Sequence, residues 1–92
     1  MRGGELETIF VTLSRLRGKA TKEDIEKTNK SIANEPKVKV LGLYWTLGRY
    51  DTVLIAEAPD EKTMMKVLLK AGDYAATETM VAIPREEAIK LL

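Results

Sequence analysis

The sequence predicts an α+β fold in which a four-stranded antiparallel sheet carries two helices on one face. Three observations lead there. Four short stretches rich in apolar and β-branched residues read as strands, the first with a clean two-residue alternation. Helical stretches with capping residues follow the first and third of them. A glycine, Gly48, stands between the second and third, where a hairpin turn belongs.

Residues 6–14 form the first strand. Ile9, Val11 and Leu13 point one way and Phe10, Thr12 and Ser14 the other, so one face is strongly apolar and one mixed. Residues 15–20 follow as a basic loop containing Gly18. Thr21 then caps a helix, with Asp24 three residues on in the place of the reciprocal capping carboxylate. Its apolar stripe is narrow: Ile25, Ile32 and Ala33. Pro36 stops it, because the residue before a proline avoids helical dihedrals.

Residues 37–47 make the second strand, apolar on both faces and therefore expected to be covered on both. Gly48 and Arg49 are read as a two-residue turn. Residues 51–58 are the third strand, ended by Pro59. Asp60 caps the second helix, whose stripe is Met64, Val67, Leu68 and Ala71, widened by Met65 and Leu69, with Gly72 as its stop. Residues 75–83, rich in Thr and β-branched side chains, form the fourth strand. Pro84 starts a short last helix with Ala88, Leu91 and Leu92 facing inward. Two split βαβ units in this order build the ferredoxin-like sandwich.

The chain has 92 residues, which suits one domain, residues 1–92. At this size only about two-thirds of the unfolded surface is buried, so stability leans on tight packing or on a partner subunit. The net charge of +1 speaks against a nucleic-acid surface. No apolar run approaches a membrane span, and no apolar signal core follows the first residues, so a cytoplasmic protein is expected. There is no Cys and no His. Thiol chemistry, His- or Cys-ligated metals and His-based general bases are excluded, and neither a metal nor a cofactor is expected.

With a two-residue turn, Leu47 faces Tyr50, Thr46 faces Asp51, Tyr44 faces Val53 and Val40 faces Glu57. One face then carries Leu41, Leu43, Trp45, Leu47, Leu54 and Ala56, and is placed under the helices. The other carries Val40, Gly42, Tyr44, Thr46, Asp51, Val53, Ile55 and Glu57. That mixture suits a subunit interface enclosing a small pocket. A turn of different length would exchange the two sets. The face on which Glu78 lies stays open.

The stretch Tyr44-Trp45-Thr46-Leu47-Gly48-Arg49-Tyr50-Asp51, followed by Glu57-Ala58-Pro59-Asp60 and later by Thr77-Glu78-Thr79, resembles the GYD domain family. The loop at residues 15–20 departs from that pattern. The resemblance implies a ferredoxin-like fold assembling as a dimeric α+β barrel, with two sheets face to face, and implies no settled activity. The Gly-x-Tyr-Asp motif is also similar to the effector-binding domain of leucine-responsive-type regulators.

The function expected from these readings is self-association through the open sheet face, as a homodimer or higher oligomer, around a small-molecule pocket. Tyr44, Thr46, Asp51 and Glu57 are the ligand-facing candidates. Gly48, Arg49 and Tyr50 are read as turn structure. A structural alternative accompanies each: Asp51 satisfying backbone N–H groups of the turn, Glu57 pairing with Lys39, Trp45 packing in a core or interface. No catalytic residue is assigned. By fold analogy with cofactor-free oxygenases and isomerase-like proteins, an enzymatic reading would use Tyr44 as hydrogen-bond donor and Asp51 and Glu57 as general bases. An effector-sensing domain is the third reading.

Overall fold

The computed structural model describes residues 7–19, 21–71 and 75–92. Its elements are β1 (Thr8–Leu16), α1 (Lys22–Ala33), β2 (Lys39–Trp45), β3 (Thr52–Ala58), α2 (Glu61–Leu68), β4 (Ala75–Ala82) and α3 (Arg85–Ile89). The strands hydrogen-bond in the order β2-β3-β1-β4, and every pairing is antiparallel. This is the ferredoxin-like arrangement, with β1 and β3 in the middle and β2 and β4 at the edges.

The helix caps form as their sequences dictate. The Asp24 N–H donates to the Thr21 hydroxyl (3.0 Å) and the Thr21 N–H to the Asp24 carboxylate (3.1 Å). Those bonds to Thr21, the backbone one first, hold the Asp24 carboxyl below its usual range. At α2 the Asp60 carboxylate accepts from both the N–H (2.8 Å) and the hydroxyl (2.7 Å) of Thr63, which lower its pKa likewise. A 3-10 turn over Leu69–Ala71 continues α2. The expected stop at Gly72 lies outside the described residues.

The core sits between α1, α2 and one face of the sheet: Phe10, Ile32, Leu54, Ala56, Ala58, Met64 and Val67. Phe10 is 2% exposed, and Ala56 and Ala58 are completely buried. The helices thus cover the Phe10/Thr12 side of β1, and the Ile9/Val11/Leu13 side is the uncovered one. The small side chains of Ala56 and Ala58 let α2 come close to β3, so that Met64 and Val67 fill the space above them.

Several expectations change. The second strand is shorter than residues 37–47 and is not covered on both sides: it is an edge strand, and Trp45 remains 60% exposed. The reason is the strand order, which puts β2 beyond the reach of the two-helix layer. The turn is longer than two residues. The Thr46 N–H donates to the Asp51 carbonyl (2.8 Å), which closes a loop over residues 47–50. Leu47, expected under the helices, stands at its tip fully in solvent. Tyr44 does face Val53, but a bulge between Val40 and Gly42 shifts the rest. Lys39, not Val40, lies opposite Glu57, and Val40 lies opposite Ala56 on the helix side.

The helix stripes are narrower than expected as well. Ala33, Met65 and Leu69 are exposed, because only one side of each short helix meets the sheet. Ala88, Leu91 and Leu92 do not face inward either. The five-residue α3 has no buried residue.

Candidate functional site

The Gly-x-Tyr-Asp loop ties three strands together. Gly48 takes φ +139°, a region that side-chain-bearing residues rarely adopt. Its Cβ position opens onto empty space, so backbone conformation and not crowding calls for glycine there. Thr46 anchors the loop from within, donating its hydroxyl to the Tyr50 carbonyl at 2.6 Å.

Asp51 fastens the loop to the end of β1. Its N–H donates to the Ser14 carbonyl (2.7 Å) and its carboxylate accepts from the Leu16 N–H (2.8 Å). Tyr50 reaches farther and donates its hydroxyl to Glu78 of β4 at 2.5 Å. The Glu78 carboxylate raises the Tyr50 pKa above the ordinary tyrosine value, first through that hydrogen bond. Lost hydration and the charge of Glu78 act in the same direction, against Arg49 and Arg15.

The uncovered face is now defined. Register places Ile9, Val11 and Leu13 of β1 beside Ile55 and Val53 of β3 and Met80 of β4. These six form a continuous apolar field. Glu78 lies opposite Leu13 and so shares this face, which settles the question left by its sequence. Glu57 lies at the other end, between Ile9 and Lys39. Tyr44 lies on β2 with its ring folded over Gly42. A Cβ at Gly42 would stand 2.8 Å from the ring's Cε2.

The four ligand-facing candidates do not converge. Thr46 and Asp51 make their bonds within the loop and to β1. Tyr44 and Glu57 share the open face, but register separates them by four residues along β3, roughly 13 Å at the rise of a strand. The pair that sequence reading missed is Tyr50 with Glu78. Twenty-eight positions separate them, and only the strand order brings them together. The one available signal was the Tyr of the motif, a large side chain in a loop that small polar residues would close.

The profile of the GYD domain matches residues 10–92. The chain belongs to the GYD domain family. A Thermus thermophilus protein described as a glutamine synthetase and cystathionine beta-lyase binding protein is 32% identical over 72 residues, 76% of either chain. Among solved structures, a transcriptional regulator from Neisseria meningitidis in complex with L-Met superposes on this GYD domain with a TM-score of 0.61. The identity is 16%, over 85% of this chain and 51% of the regulator. The chain therefore spans about half the length of the regulators it matches. A dimeric ferredoxin-like protein of unknown function from Thermobifida fusca superposes with a TM-score of 0.56 at 13% identity, over 86% of this chain and 93% of its own. At such identities the likeness shows the shared fold. Among the described residues, no helix is long and apolar enough to cross a membrane.

Proposed function

We propose that this GYD domain is a binding module that works as a homodimer, two copies packing their uncovered sheet faces together. The observation that carries this reading is the apolar field of Ile9, Val11, Leu13, Val53, Ile55 and Met80. A sheet face of that composition fits a second sheet, since β-branched side chains from two layers interdigitate about 10 Å apart. The polar groups on the same face, Tyr44, Glu57 and Glu78, then sit at the margins. There they hydrogen-bond across the interface or to a small molecule enclosed by it. Asp51 and Thr46 contribute by holding the loop that positions Tyr50. The outer, helix-bearing surfaces of the pair stay free to dock on larger proteins. That use is supported by the Thermus relative, which is described as a binding protein for two enzymes.

Sedimentation equilibrium on the parent chain and on Val11→Asp tests the reading. The parent sediments as a dimer at micromolar concentration. Val11→Asp sediments as a monomer with an unchanged far-ultraviolet circular dichroism spectrum. A parent chain that is monomeric at high micromolar concentration overturns the proposal.

A further inference from the structure

We propose that the helix side of the sheet holds a second, separate site, which takes one small uncharged molecule with an apolar body and a single hydrogen-bonding head. A cavity of about 100 Å³ opens there between α1, α2 and the sheet. Ile32, Leu54 and Val67 form its walls, and the hydroxyl-bearing residues Ser14, Thr52 and Thr77 line it as well. Trp45 stands at its edge.

Two independent features point to a ligand of this chemistry. The first is a row of polar side chains inside the covered layer. The covered layer of the sheet is where a small α+β protein ordinarily concentrates its apolar residues. Here that layer carries, beside the apolar core of Phe10, Leu54, Ala56 and Ala58, a row of hydroxyl residues, Thr12, Ser14, Thr52, Thr77 and Thr79. Thr12 and Thr79 bond to each other at 2.8 Å. Thr12 lines the cavity together with Ser14, Thr52 and Thr77, residue types that carry both a donor and acceptors.

The second feature is charge. Among the described residues, every side chain lining the cavity is neutral. A carboxylate or ammonium placed there would lose much of its hydration with no counter-charge among the described lining residues to replace it. Amino acids, phosphates and carboxylic acids are thereby disfavoured. The volume matches about three waters and is smaller than the dry cavity of about 150 Å³ that accommodates benzene, so a six-membered ring enters with one edge left at the open mouth beside Trp45. The site faces away from the apolar field, so it does not depend on self-association.

Methyl-resolved NMR titration of the intact chain tests this, with phenol as the neutral probe and benzoate as its charged counterpart. Phenol is expected to shift the Ile32, Leu54 and Val67 methyls along one saturable curve, and benzoate to leave them in place. Ser14→Leu fills the cavity and weakens phenol about tenfold or more, by occupying the same volume. Thr52→Val keeps the volume and removes one hydroxyl. It is expected to weaken phenol about threefold to tenfold, the worth of one hydrogen bond, and to leave toluene unaffected. That comparison decides the matter if Ser14→Leu fails to fold. Shifts that never saturate, equal binding of benzoate, or equal loss of phenol and toluene in Thr52→Val overturn the proposal.

Discussion

The two faces of the sheet differ in a way that runs against simple expectation. The helix-covered face combines Phe10, Leu54 and fully buried alanines with a row of hydroxyls. The uncovered face carries a row of branched apolar side chains, Ile9, Val11, Leu13, Val53 and Ile55. Apolarity alone therefore does not tell which side of a sheet its helices take. Shape decides as much: Ala56 and Ala58 make a shallow seat for α2, whereas a layer of branched side chains suits another sheet.

The largest expected effect breaks the covered face. Phe10→Ala removes a ring from the core and costs about 3–5 kcal/mol. Urea denaturation should show that loss at every protein concentration. Val11→Ala, on the uncovered face, should show a loss that shrinks as protein is diluted, because it acts through the partner. If both losses are independent of concentration, the faces do not differ in the way proposed.

Next comes the loop that joins the two faces. Asp51→Ala strands the Leu16 N–H and is expected to cost about 1–3 kcal/mol, read as a shift of the urea midpoint. Gly48→Val forces a branched residue into positive φ and costs about 1–2 kcal/mol by the same measurement. A smaller effect belongs to Gly42→Ala. The new methyl pushes the Tyr44 ring off the open face, and the ring is the end of a movable side chain. Folding stability should hardly change, while the dimer dissociation constant rises.

The smallest effects are those of pH. The folded-state pKa of Tyr50 is raised above 10.0, so the folded chain keeps that proton longer than the unfolded one. Its contribution is complete below the unfolded value and disappears as pH rises through the folded one. Tyr50→Phe should flatten the fall of the melting temperature at alkaline pH. Asp60 behaves in the opposite sense. Its pKa is lowered from 3.8, so its contribution is present above that value and lost as pH falls through the folded one. Asp60→Asn should flatten the acid side of the same curve.

Local features were legible in the sequence. The Thr21/Asp24 box, the Asp60 cap and the pairing of Thr46 with Asp51 each depend on residues at most five positions apart. The bulge was not legible, because an extra residue in a strand leaves the apolar pattern intact on both sides and only Gly42 hints at it. Nor could the pattern reveal that β2 is an edge. A strand apolar on both faces reads the same whether its own chain or another covers it. Of the candidate residues, the loop-bound Thr46 follows from local chemistry, whereas the bonds of Asp51 to Ser14 and Leu16 depend on β1 lying beside β3. The Tyr50–Glu78 bond and the separation of Tyr44 from Glu57 follow from strand order.

The central position of β1 shapes how the chain is made. Its two neighbours in the sheet, β3 and β4, are both synthesised after it, and Thr12 must find Thr79 across 67 positions. During synthesis, then, β1 is made before either of its partners and waits with both hydrogen-bonding edges bare. The β2–β3 hairpin, closed by its own loop, forms early. Loop-closure entropy delays the long-range pairings and slows folding. A nascent chain stalled before β4 keeps one edge of its most apolar strand open to other chains. Pairing of β4 is thus the step that removes this hazard, and whatever delays it gives aggregation longer to compete with folding.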